Sequence, residues 1–233
     1  MRRAAVAGLA ALAGCGGGGD TGPRVGAASS LTEALTACAP TAQLEFGGSD
    51  DLAAQVRQGV GLDVFAAANM ALPAQLAKEG KSGRPVPFAT NELVLAVPRD
   101  SAVNALAGLR GARLVVGSPA VPVGAYTRQV LARLPRARRD ALRAQVRSEE
   151  PDVKGVIGKL ITGAADAGFV YRTDVRAAGG RLRAVALPAR LRPRVVYGVS
   201  VVRDRAAARN FVADLRHGRC ASELRRAGFG PPP

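Results

Sequence analysis

The sequence predicts an α/β fold with mainly parallel sheets, divided into two lobes. Three observations carry this expectation. Strands and helices alternate along most of the chain, and serines or tight Gly/Pro turns stand at several strand-to-helix junctions. Two strongly β segments, NELVLAV (91–97) and VVYGVSVV (195–202), are placed to cross between the lobes.

Taken in order, RVGAA (24–28) is a short buried strand that runs into Ser29 and Ser30. LTEALTAC (31–38) has helical spacing at Leu31 and Leu35, and Ser30 with Glu33 three residues on predicts a capping box. QLEF (43–46) is a second strand leading through Gly47 and Gly48 to Ser49, and DDLAAQVRQG (50–59) continues as a helix with Leu52 and Val56 on one face. DVFAA (63–67) is a third strand, followed by a helix near 71–79; NELVLAV then runs to Pro98. LVV (114–116) is another strand, leading through GSPAVP to a helix over about 123–134. SEEPD (148–152) opens the helix VKGVIGKLITG, AGFVY (167–171) is the next strand, and after VVYGVSVV a last helix covers 206–215. No long linker intervenes, so the lobes are discontinuous: 24–91 with 199–233, and 92–198.

The N-terminus reads Met-Arg-Arg and then AAVAGLAALAG, a positive region and a short apolar run that stops at Cys15. A membrane-spanning helix needs about 20 apolar residues, and Gly16 to Asp20 break the run well before that. Residues 1–14 therefore read as an export signal. Leu12-Ala13-Gly14 before Cys15 forms a lipobox, so Cys15 is expected to carry a lipid and 15–23 to be a tether. Cys38 and Cys220 then remain, either bridged outside the cytosol or separate buried thiols.

The formal charge is +15, or +13 once Arg2 and Arg3 leave with the signal. Lysine occurs only at Lys78, Lys81, Lys154 and Lys159, so 29 of the 33 basic residues are arginines spread over the chain. With 4% aromatics and no Trp, base-stacking surfaces are scarce, which argues against nucleic acid as a partner. The single histidine, His217, stands in LRHGRC with no nucleophile motif around it and reads as a helix-end residue. No CxxC, HExxH or carboxylate cluster suggests a cation site. The chain reads as a monomeric binder without a cofactor, and not as an enzyme.

Parallel sheets bind ligands beyond the carboxyl ends of their strands, where helix N-termini offer free N–H groups and partial positive charge. Ser30, Ser49, the VPVG turn and the PDV turn all stand at such junctions, so a cleft gathering them holds a dianion by neutral donors. The motifs AASSLTEAL, FGGSDDLAAQV, DVFAAAN, NELVLAVP, GSPAVPVGAY, EEPDVKGVIGKL, ADAGFVYRTD, VVYGVSVV and LRRAGF, in this order from Val25 to Phe229, resemble the periplasmic molybdate-binding proteins of ABC importers.

That resemblance implies a Venus-flytrap fold closing on one dehydrated oxyanion, molybdate or tungstate, for delivery to a membrane permease. It implies hydroxyl donors at Ser30 and Ser49, backbone N–H donors at Val123 and Val153, and the phenol of Tyr171, a shell without charged side chains. Asp63 and Asn91 match family positions and read as structural turn or capping residues. The sequence departs from the family at Ser118, where Asp is frequent, and at Val123, where Ala is frequent, which narrows the cleft. Sulfate or phosphate as ligand, and a flytrap-fold signalling or scaffold protein without a ligand, are the competing readings.

Overall fold

The computed structural model describes residues 22–233. The expected signal, Cys15 and the first part of the tether lie outside the described residues. Ten strands form two five-stranded sheets: β1 (Arg24–Ala28), β2 (Gln43–Gly47), β3 (Val64–Ala67), β4 (Val86–Asn91) and β10 (Val195–Val201) in the first, β5 (Leu93–Pro98), β6 (Leu114–Gly117), β7 (Val146–Glu150), β8 (Ala167–Tyr171) and β9 (Leu182–Val185) in the second. The orders are β2-β1-β3-β10-β4 and β7-β6-β8-β5-β9.

Both sheets are mixed, where the strand–helix alternation predicts mainly parallel ones. β2-β1-β3 and β7-β6-β8 are parallel triplets, and the strands completing each sheet, β10 and β4 or β5 and β9, pair antiparallel. The antiparallel strands arise because the chain changes sheet there: β4 and β5 are separated by Glu92 alone and belong to different sheets. The expected single strand over 91–97 is thus two strands meeting at the crossover. The return falls between Val185 and Val195, earlier than the expected division at 198/199, because Val195, Val196 and Tyr197 already pair with Asn91, Thr90 and Ala89 of β4.

The helices are α1 (Thr32–Cys38), α2 (Ser49–Arg57), α3 (Ala71–Lys78), α4 (Pro122–Ala132), α5 (Arg136–Ala144), α6 (Val153–Ile161), α7 (Arg172–Ala177), α8 (Ala206–His217) and α9 (Arg219–Ala227). β3 shows why the first sheet needs cover on both sides: Val64 and Ala66 join the main core, while Phe65 and Ala67 join a second cluster with Leu52, Val56 and Leu76 from α2 and α3. Enclosing one side chain of Phe65's size contributes about 1.5–3 kcal/mol. On the other face α1, α8 and α9 pack together, and a disulfide between Cys38 and Cys220 joins α1 to α9 with a Cα–Cα distance of 5.0 Å. His217 is the last residue of α8.

Asp63 is a buried anchor at the start of β3. Its carboxylate accepts Arg24 N–H at 2.8 Å and Arg203 Nε–H at 3.0 Å, tying β1, β3 and the segment after β10. Among the described residues no helix is long and apolar enough to cross a membrane.

Candidate functional site

Each strand of the two parallel triplets delivers one wall of a single cavity between the sheets. β1 runs into Ser29 and Ser30, β2 into Gly47, Gly48 and Ser49, and β3 into Ala68; opposite them, β6 leads to Val121, Pro122 and Val123, β7 to Asp152 and Val153, and β8 ends on Tyr171. The two triplets therefore point their carboxyl ends at each other, the position at which open α/β sheets bind ligands. Ser30, Ser49, Val123, Val153 and Tyr171, the five residues singled out from sequence, all line this cavity and are all buried. At about 20 Å³, it is scarcely larger than the ~10–15 Å³ that one water requires. An extended organic molecule does not fit; one compact group does.

Helix N-termini face the cavity from both sides. The first N–H groups of a helix have no partner within it and carry partial positive charge. Ser49 opens α2, Val123 sits in the first turn of α4 directly after Pro122, and Val153 opens α6. Pro122 suits that first position, since its missing N–H removes no helical bond, and the N–H of Val123 follows it. Gly124 lets α4 come this close to β6: a Cβ there stands 1.9 Å from Ser118 O.

The hydroxyls are held in definite ways. Ala68 N–H donates to Ser49 Oγ at 3.2 Å, leaving the Ser49 proton for another acceptor. Ser30 Oγ lies 2.8 Å from Tyr197 Oη. The expected capping box with Glu33 is therefore absent: residues Ser29–Leu31 form a 3-10 turn, α1 begins at Thr32, and Glu33 pairs with Lys154 instead. Tyr171 Oη is buried with no protein partner. Burial, reinforced by Tyr197, Tyr126 and Asp174, pushes its pKa well above the ordinary phenol value, so it remains a neutral O–H donor.

One acidic residue, Asp152, stands among those lining the cavity. Its Oδ1 accepts Gly155 N–H at 2.9 Å as the cap of α6. Behind Tyr171, the enclosed carboxyl of Asp174 accepts Tyr171 N–H at 3.3 Å. Burial raises its pKa to about 7, with Lys154, 3.7 Å away, acting in the opposite direction.

Three participants are not evident from sequence. Ala68 offers only its backbone, Asp152 reads as a helix cap, and Tyr197 lies 26 residues beyond Tyr171 on a strand of the other sheet. A tyrosine in the largely apolar run VVYGVSVV is the one available signal, since a buried phenol needs a partner. Asn91, read as a capping residue, does accept Glu92 N–H locally at 2.9 Å, and its amide also reaches Thr173 Oγ1 at 2.9 Å across the crossover. Among the described residues no group of three or more His, Cys, Asp or Glu is placed to hold a metal cation.

The chain is similar in sequence and in fold to known proteins. Over 197 residues the chain is 35% identical to the molybdate-binding protein ModA of Mycobacterium tuberculosis H37Rv, covering 80% of this chain and 72% of that one. A Bacillus subtilis protein named as a putative ABC transporter substrate-binding lipoprotein, YvgL, is 29% identical over 201 residues, covering 81% of this chain and 75% of its own. The periplasmic molybdate-binding protein of Azotobacter vinelandii superposes with a TM-score of 0.78 at 22% identity, over 91% of this chain and all of that one, which shows the shared two-lobed fold. With residues 23–230 matching its model, the chain belongs to the bacterial extracellular solute-binding protein family.

Proposed function

We propose that this chain is an exported solute-binding protein, lipid-anchored at Cys15, that encloses molybdate or tungstate between its two halves and delivers it to an ABC permease. The observation that carries this reading is Tyr171 Oη: a buried hydroxyl without a protein partner, at the wall of a small cavity ringed by helix N-termini. A buried donor left unbonded costs about 1–3 kcal/mol, and an oxyanion at the cavity centre supplies the missing acceptor. The fit extends to the other donors. Ser49 has its proton free, Val123 and Val153 offer first-turn N–H groups, and three helix N-termini favour negative charge.

The same donors favour an anion with no proton of its own. Phosphate near neutral pH keeps at least one O–H, which requires an acceptor, and the carboxylate of Asp152, the one acidic residue lining the cavity, is engaged as the cap of α6. The relatives named for molybdate binding support this ligand, and the one named as a lipoprotein supports the anchor. In this reading the halves are hinged lobes that close on the anion, and the closed form is what the permease recognises. The protein acts as a binder and not as an enzyme.

The test is thermal melting of the mature protein with molybdate, tungstate, sulfate and phosphate in parallel. A ligand at 100 times its Kd stabilises by about 2.7 kcal/mol, which at ~2–4 °C per kcal/mol raises Tm by roughly 5–10 °C. The expected result is a shift of that size with molybdate and tungstate and little with the others. An equal shift with sulfate removes the molybdate assignment.

A further inference from the structure

Ser30 does not meet the cavity alone. Tyr197 Oη, 2.8 Å from Ser30 Oγ, belongs to a side chain with no exposed surface, whose ring stands edge-on to Phe88, Tyr171 and Phe229. Its other polar neighbour is Asn91 Nδ2, at a longer 3.5 Å. The orientation of that amide is set from its far side. Glu92 N–H donates to Asn91 Oδ1 at 2.9 Å, a bond only the carbonyl oxygen can accept, so the NH2 group faces Thr173 and Tyr197. Nδ2 has protons and no lone pair to offer. Tyr197 Oη therefore receives from Asn91, and the acceptor within reach of its own proton is Ser30 Oγ. With that lone pair taken, the Ser30 proton turns away from Tyr197, toward the cavity.

We propose that Tyr197, oriented by Asn91, is a positioning residue that fixes the Ser30 hydroxyl as a donor to the bound anion and so selects a fully deprotonated oxyanion. This deepens the oxyanion-binding function and rests on it. The polarity runs in one direction, from the Asn91 amide through the phenol and the serine to the ligand. Ser49 is arranged the same way by a different donor, Ala68 N–H. An anion carrying its own O–H meets protons at both serines.

The experiment is calorimetric titration of the mature protein with sodium molybdate, for the parent, Ser30→Ala, Tyr197→Phe and the double variant. Tyr197→Phe keeps the ring and its packing and removes only Oη. Affinity is expected to fall about 3- to 10-fold, and in the Ser30→Ala background the same change is expected to have no further effect, because the phenol acts through that serine. A purely structural role lowers affinity equally in both backgrounds and overturns the proposal, as does a Tyr197→Phe variant that binds like the parent. Asn91→Asp provides a second route: a carboxylate draws the phenol proton to itself, turns the Ser30 proton toward Tyr197, and weakens binding only when Ser30 is present. A parent that does not bind molybdate removes the molybdate reading itself; a parent that binds, beside variants that bind equally well, removes this role alone.

Discussion

Lys154 Nζ lies 2.6 Å from Glu33 Oε1, an ion pair that ties α6 of the second half to α1 of the first. Lys154 directly follows Val153, so one turn of α6 carries both a cavity-lining N–H and a strap between the halves. The side chains are 31% and 51% exposed, which keeps such a pair to about 0.2–1 kcal/mol. If closure accompanies binding, that energy belongs to the closed form. Glu33→Gln is expected to weaken molybdate binding by up to about fivefold at low salt and by less at 1 M salt. Titration calorimetry at two ionic strengths reads this, and an affinity unchanged at both rules the strap out.

Tyr171→Phe separates binding from stability. The phenol has no protein partner, so its removal is expected to leave the unliganded melt unchanged or slightly raised. A hydrogen bond to a charged group contributes about 1.5–3 kcal/mol, so molybdate affinity is expected to fall roughly 10- to 150-fold. A variant that loses stability without ligand, or binds as tightly as the parent, contradicts the assigned position of this hydroxyl.

Gly48 marks where the halves touch. A Cβ added there stands 2.6 Å from Pro151 O, a backbone atom of the opposite half, so Gly48→Ala forces the two apart. Overpacking of this kind costs about 1–3 kcal/mol. Affinity is expected to drop by about tenfold while far-UV circular dichroism stays the same, and small-angle scattering with molybdate is expected to show a less compact particle than the parent's. An equally compact complex denies the contact any part in closure.

Asp174 makes stability depend on pH with a definite sign. Its pKa is raised, chiefly by burial, from the ordinary carboxyl value to about 7, with Lys154 lowering it and Glu33 raising it. The folded chain thus holds the proton more tightly than the unfolded one. The stabilisation is complete below about pH 4 and is lost as pH rises through 7. Asp174→Asn retains an oxygen to accept Tyr171 N–H. Its Tm relative to the parent is therefore expected to rise from pH 5 to pH 8, in melts run without ligand. A constant difference across that range refutes the buried titration.

The elements around the cavity were largely legible in the sequence because their signals are local. Strands 24–28, 43–46, 63–67, 114–116 and 167–171 are short runs rich in apolar residues, three of them ended by Ser or Gly, and they match β1, β2, β3, β6 and β8. β7, with alternate exposed residues in VRSEE, and the arginine-rich α5, which buries only Leu142, carry too few apolar residues to stand out. The expected Ser30–Glu33 capping box followed a sound local rule, yet a distant phenol and a distant ammonium offered those two side chains better partners.

The sequence by itself determined the α/β alternation and the serines and turns at the junctions, since each depends on neighbours a few positions away, and its motifs, through their resemblance to a known family, named five residues that line one cavity. Tertiary structure decided that each parallel triplet is completed by antiparallel crossover strands, that Cys38 meets Cys220 across 182 residues, and that Asn91, Tyr197 and Ser30 stand in sequence within hydrogen-bond reach. Those outcomes join residues far apart in sequence, and only the packed sheets bring their donors within reach of their acceptors.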